Sequence, residues 1–269
     1  MKTHTLLATM GLALSAALTV PAIAASPAAA DQPNADQILR QMSAKLAAAP
    51  SFTFQATRQI DPGLLIGHDV PVAANIAVTV QRPDKITAKA ASKQDVRHAY
   101  ADGQTFSMLD VKANVYATVP MRTSLDGLVE KIDKQYGFTP PLAEFVVSDP
   151  YKEFRRQANT VTYLGQGTLR GGLWNLSKVD CHRLKLSGHG VDAELWIGVN
   201  DQLLKSLVAT FNDRPGKPQL KITFSHWNLA AKTTAKEFTF TPPKGALKIP
   251  MRSTAEMASA PAKTAARKN

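Results

Sequence analysis

The sequence predicts a mainly β chain of the α+β kind, organised on one long antiparallel sheet, and three observations predict it. From Val70 to Gln81 apolar residues alternate without a break, with Val70, Val72, Ala74, Ile76, Val78 and Val80 on one side and Ala73, Asn75, Ala77, Thr79 and Gln81 on the other. A period of two over a dozen residues is a strand with one apolar face. Four shorter strands follow before Val119, punctuated by turn chemistry at Arg82–Lys85, Ser92–Asp95, Asp102-Gly103 and Lys112–Asn114. A second series then runs from Thr160 to Asn228, at Thr160–Thr168, Cys181–Ser187, Val191–Val199, Leu204–Asn212 and Gln219–Asn228. With about eleven strands in order, nearly all linked as hairpins, such a sheet must curl or close.

The remaining elements follow from the start of the chain. Residues 1–24 read as a secretory signal: Lys2 in a basic leader, an apolar run from Leu6 to Val20, and Ala22-Ile23-Ala24 as the cleavage site. That run is shorter than the ~20 residues that span a bilayer, and no cysteine follows it to accept a lipid. The expected compartment is the periplasm, with residues 25–33 flexible. A first helix is expected from Ala35 to Ala49, started by Asn34 with Gln37 three residues on and stopped by Pro50. Its apolar stripe is Ile38, Leu39, Met42 and Leu46. Phe52, Phe54 and Ala56 then alternate as a strand beside the meander, and Asp61–His68 is a turn-rich loop.

After the meander the period changes to helical. Thr123 or Ser124 caps a helix carrying Leu125, Leu128, Val129, Ile132 and Tyr136, ended by Gly137. Pro140-Pro141 opens a shorter apolar helix with Leu142, Phe145 and Val146, and Asp149-Pro150 opens a third through Tyr151 and Phe154. Three short helices with oily faces between two runs of strands suit a lid. Phe238 and Phe240 read as a last strand stopped by Pro242-Pro243, and an Ala-rich basic tail over residues 249–269 reads as disordered.

Composition narrows the function classes. The net charge of +11 comes from 32 Lys and Arg against 21 Asp and Glu, scattered rather than clustered. In an exported chain this favours peripheral contact with an anionic membrane surface over nucleic acid. Cys181 is the single cysteine, so a disulfide scaffold is impossible and a buried, inert thiol is the expectation. No catalytic set, metal set or cofactor motif emerges. His68, His98, His182, His189 and His226 never fall at zinc spacing, and His98 with Asp95 and Ser92 on one strand would point to alternate faces. Asp192 and Glu194 share a strand face, as two solvated carboxylates do. The glycines at 165, 167, 171 and 172 lack the helix and lysine of a phosphate loop. Trp174, Trp196 and Trp227 default to core.

The order and spacing of several segments resemble the LolA-like superfamily of periplasmic lipoprotein carriers, nearest to a family of predicted exported proteins within it. The matching residues are SFTFQ at Ser51–Gln55, TVQRPDKI at Thr79–Ile86, YADGQTFSMLD at Tyr100–Asp110 and FTFTPPKGA at Phe238–Ala246. The resemblance covers about Asp36 to Lys248 and implies an unclosed antiparallel barrel, residues 34–248, whose concave face is capped by helices. It implies a cavity for a lipid or an acylated protein cargo, with Arg82 at the position of the carriers' lid-latching arginine. Segment Arg170–Cys181 has no counterpart in that pattern.

The candidate ligand contacts are therefore Ile76, Val78, Val80, Arg82, Tyr100, Phe106, Met108, Leu128, Ile132 and Phe145. Small residues such as Ala74, Ala88 and Ala90 leave room under the lid, although facing side chains would fill the same space in a packed core. The expected role is a monomeric, non-enzymatic carrier. The alternatives are a sensor that signals to an envelope protein partner, a packed structural module, and a hydrolase with an unrecognised site.

Overall fold

The structure, a computed structural model, describes residues 33–65, 72–138, 142–171 and 177–259. The expected signal sequence, most of the flexible leader, the end of the Asp61–His68 loop, Pro140-Pro141, Trp174 and the tail beyond residue 259 lie outside them.

Among the described residues one sheet of twelve strands carries the fold, in the spatial order β12-β6-β5-β4-β3-β2-β1-β11-β10-β9-β8-β7. The first meander is β1 (Ser51–Ile60), β2 (Ala73–Gln81), β3 (Lys85–Ala91), β4 (Val96–Asp102), β5 (Thr105–Asp110) and β6 (Val115–Pro120). The second is β7 (Thr160–Gly171), β8 (Ser177–Gly188), β9 (Val191–Gly198), β10 (Leu204–Phe211) and β11 (Gln219–Asn228). Every neighbour is antiparallel except β12 (Leu247–Lys248), which runs parallel to β6. The two meanders join where β1 pairs with β11, leaving β7 and β12 as edges, so the sheet is an unclosed barrel.

Turn length decides which residues face inward. The three-residue connection at 82–84 leaves Val80 paired with Ile86 and Val78 with Ala88, so even positions stay together. The four-residue connection at 92–95 and the two-residue connection at 103–104 each shift the parity: Ala88 pairs with Ala99, and Ala99 with Met108. The concave face thus runs through Phe54, Val78, Ala88, Ala99 and Met108 in one direction and through Phe224, Leu207, Leu195 and Leu184 in the other.

Three helices cover this face. Helix α1 (Ala35–Ala48) is capped by Asn34, whose Oδ1 accepts from the Gln37 amide at 3.1 Å, and buries Ile38, Leu39, Met42 and Leu46. Helix α2 (Leu125–Tyr136) is capped by Ser124 and buries Leu125, Leu128 and Ile132. It ends at Gly137, whose φ of 70° places it in the left-handed region that glycine adopts without steric cost. Helix α3 (Pro150–Gln157) starts at Asp149, which accepts from the Lys152 amide, and buries Phe154. The segment with Phe145 forms a single 3₁₀ turn, Ala143–Phe145, rather than the longer helix its apolar spacing suggests.

The C-terminal segment departs from expectation. Phe238 and Phe240 do not form a strand. Thr234 and Glu237 close a capping box that starts a helical turn, α4 (Ala235–Phe238). This segment lies on the convex face of the first meander, where Phe238 is fully buried and Phe240 packs 5.5 Å from Tyr100 and 5.2 Å from Tyr116. Within the stretch expected as a tail, a short helix, α5 (Thr254–Ser259), sits where Thr254 Oγ1 donates to the Gln135 carbonyl at the end of α2.

Candidate ligand-binding site

The concave trough is not filled by the helices. Between β2–β5 and α2 lies a cavity of ≈550 Å³, floored by Ile76, Val78, Ala88, Ala99, Phe106 and Met108 and roofed by Leu128, Val129, Ile132 and Val146. Alanines at positions 74, 88, 90 and 99 create this space, because each projects a single methyl where a larger side chain would reach the helix. One rim is polar, with Ser92, Asp95, Arg97 and His98. A second cavity of ≈730 Å³ lies on the other side of β1, beneath the Ala143–Phe145 turn and α3, lined by Ile222, Leu207, Ala209, Leu186, Phe145 and Phe154 among others. Its rim carries Glu144, Arg156, Gln157 and His189. Burial raises the Glu144 carboxyl above its usual range, and the neighbouring Glu153 adds to the effect.

An aromatic cluster anchors the floor. Phe54 stacks on Trp227 at 4.5 Å, and Phe224 meets Phe145 at 5.0 Å. Trp227 reaches this side through a β-bulge: the register of β1 against β11 shifts between Thr53 and Gln55, opposite His226, which has a φ of 53°. Its indole Nε1 donates to the Leu204 carbonyl at 2.9 Å, so this tryptophan belongs to the core.

Arg82 follows the parity of β2 inward. Its Nη1 donates to the Val146 carbonyl at 2.8 Å and its Nη2 to the Leu46 carbonyl at 3.4 Å, while the guanidinium lies 5.6 Å over the Phe52 ring. Burial lowers its pKa and the nearby Asp126 opposes the shift; an arginine keeps its charge regardless. Both acceptors are carbonyls near helix ends, and the Leu46 carbonyl also accepts from the amide of the Ala49 cap at 3.3 Å. Asp126 ties the same region together, accepting from the Ser148 amide and hydroxyl at 2.6 and 2.5 Å. Helix α3 is held to α1 by Tyr151, whose hydroxyl donates to Asp36 at 2.7 Å while Arg40 lies 3.9 Å over its ring.

Of the ten candidate contacts, Ile76, Val78, Phe106, Met108, Leu128 and Ile132 line the first cavity and Phe145 lines the second. Val80 is fully buried and lines neither, and Arg82 bridges the helices rather than facing a cavity. Tyr100 is a correction. The parity shift at 92–95 places it opposite Thr87 and Ser107 on the convex face, beneath Phe240. The sequence reading missed Arg58 and the whole second cavity, whose floor comes from the β1–β11 junction, a pairing between strands more than 150 residues apart.

The other polar groups singled out by sequence are engaged elsewhere. Asp95 pairs with Arg97 at 2.7 Å, and the Ser92 hydroxyl donates to the Asp95 carbonyl. Asp192 and Glu194 form convex cross-strand pairs with Lys185 and Arg183, at 2.9 and 2.8 Å. Cys181 is buried, and burial pushes its thiol pKa up to about 11. Among the described residues no group of His, Cys, Asp or Glu is placed to hold a metal, and no helix is long and apolar enough to cross a membrane.

Comparison with known proteins gives the fold a context. Structural neighbours include an uncharacterized conserved protein from Thermus thermophilus, with a TM-score of 0.46 and 13% identity over 81% of this chain and 99% of that one. They include MucB in the Pseudomonas aeruginosa MucA/MucB complex, with a TM-score of 0.41 and 11% identity over 77% of this chain and 61% of that one. A LolA superfamily protein from Nitrosomonas europaea aligns with a TM-score of 0.33 and 9% identity, over 77% and 98% of the two chains. No curated protein matches the sequence. Residues 35–252 match one family along nearly the whole described fold: the chain belongs to DUF2092, a family of predicted periplasmic proteins.

Proposed function

We infer that this protein is a non-enzymatic periplasmic binding protein that shelters a lipid-like or acylated ligand in the trough between its sheet and its lid helices. The observation that carries this reading is the ≈550 Å³ cavity, whose floor and roof are apolar side chains and whose polar lining is limited to one rim and to Arg58 of β1. Its size and lining suit a ligand that is mostly hydrocarbon with one polar end. Affinity would come from apolar burial, about 0.8 kcal/mol for each methylene removed from water. The Arg82 bridge between α1 and the segment after the Ala143–Phe145 turn would hold the cover closed over the cargo. The test is a fluorescent long-chain fatty acyl probe titrated into the protein and displaced with unlabelled oleate. Saturable, displaceable binding supports the reading, and a packed module without a ligand would show none.

A further inference from the structure

Arg58 occupies a position that neither cavity explains alone. It lies on β1, the central strand of the sheet, paired with Ala74 of β2 on one side and Ile222 of β11 on the other. Ala74 lines the first cavity and Ile222 the second. Arg58 lines both, and among the described residues the one other common to both is Leu142, which comes down from the lid. Two apolar chambers, each within the size range of a small-molecule site, thus meet at a guanidinium. Burial lowers the pKa of Arg58, the signature of a charge held partly out of water, although an arginine remains protonated.

We propose that the trough takes a two-chain anionic amphiphile, one acyl chain in each cavity and its negatively charged group at Arg58. This rests on the lipid-binding reading above and specifies the ligand class. The geometry favours two chains branching from one point over one long chain, because the chambers open on opposite flanks of the strand that carries the arginine. An anionic group fits the junction because a guanidinium offers five donors in a planar fork, which match carboxylate or phosphate oxygens alongside the contact Arg58 already makes within the chain.

The experiment uses the whole mature chain and native mass spectrometry, with dioleoylphosphatidylglycerol, dioleoylphosphatidylcholine and oleate as probes, each lipid delivered from vesicles of that lipid alone. The wild type should bind two oleates or one phosphatidylglycerol, and one phosphatidylglycerol should displace both oleates. Phosphatidylglycerol should be preferred over phosphatidylcholine by roughly tenfold, the scale of one charge-assisted hydrogen bond. Arg58→Gln should remove that preference and Arg58→Lys should keep most of it. Ala88→Trp, filling the first cavity, and Ala209→Trp, filling the second, should each abolish phosphatidylglycerol binding while leaving one oleate bound. Phosphatidylglycerol that displaces one oleate, or that binds both tryptophan variants, overturns the two-chamber ligand. An anionic preference unchanged in Arg58→Gln overturns the role of Arg58. Failure of oleate itself would instead overturn the underlying lipid-binding reading, so the two failures are distinct. The oleate displacement needs no variant and decides the stoichiometry even if a substituted chain does not fold.

Discussion

Replacing Arg82 with leucine tests how the lid is held. The wild-type guanidinium makes one short bond to the Val146 carbonyl at 2.8 Å and a longer one to Leu46 at 3.4 Å. A hydrogen bond from a charged donor contributes about 1.5–3 kcal/mol, and the 3.4 Å contact adds little. Against this stands the desolvation of a half-buried charge, which leucine removes, and the contact of the guanidinium with Phe52, which leucine keeps in part. The net weakening of lid closure should be about 1–2 kcal/mol, a rise of roughly five- to thirtyfold in the open population. Hydrogen exchange should therefore accelerate by that factor across Ala143–Gln157, where opening precedes exchange, and stay unchanged in β8–β10 on the far side of the sheet. The melting temperature should fall by only a few degrees. Equal protection of Ala143–Gln157 in the two proteins, together with equal rates of probe release, would refute the latch and reduce Arg82 to a packing residue.

Other consequences can be measured alongside. Ile132→Asp and Phe106→Asp each place a carboxylate on the cavity surface and should weaken the fatty acyl probe by more than about 1 kcal/mol, read as a shift in Kd. The raised thiol of Cys181 links stability to pH: the unfolded thiol loses its proton near pH ~8.5 while the folded one holds it to about 11, so the contribution is intact below about 8.5. Between those limits stability should fall by about 1.4 kcal/mol per pH unit, and urea titrations of Cys181→Ala should lack that component. Removing the chain from Ser253 onward deletes α5 and its bond to Gln135, a solvent-exposed contact, and calorimetry should find a loss of about 1 kcal/mol or less.

Much of the fold was legible because strands and helices write their periods locally. The alternation from Ala74 to Val80 and the stripe Leu125, Leu128, Ile132 each name a buried face, and the caps at Asn34, Ser124 and Asp149 fall where side-chain chemistry demands. What alternation cannot carry is parity across a turn. One residue more or less in a connection reverses every following side chain, which is why Phe106 and Met108 sit in the trough and Tyr100 does not. Phe238 and Phe240 mislead for a related reason: their spacing of two suits a strand, but a capping box upstream turns the backbone into a helical turn that sends both rings onto the convex face. The second cavity and the place of Arg58 depend on β1 meeting β11, a long-range pairing with no local signal.

The central claim is that the trough holds hydrocarbon, and the most direct measurement is lipid mass spectrometry of the protein isolated from the periplasm without detergent. Organic extracts of the purified protein should contain an acylated species in near-stoichiometric amount, and extracts of Ile132→Asp purified in the same way should be depleted of it. Extracts free of acyl species, from protein that also fails to take up oleate when it is supplied, would contradict the account.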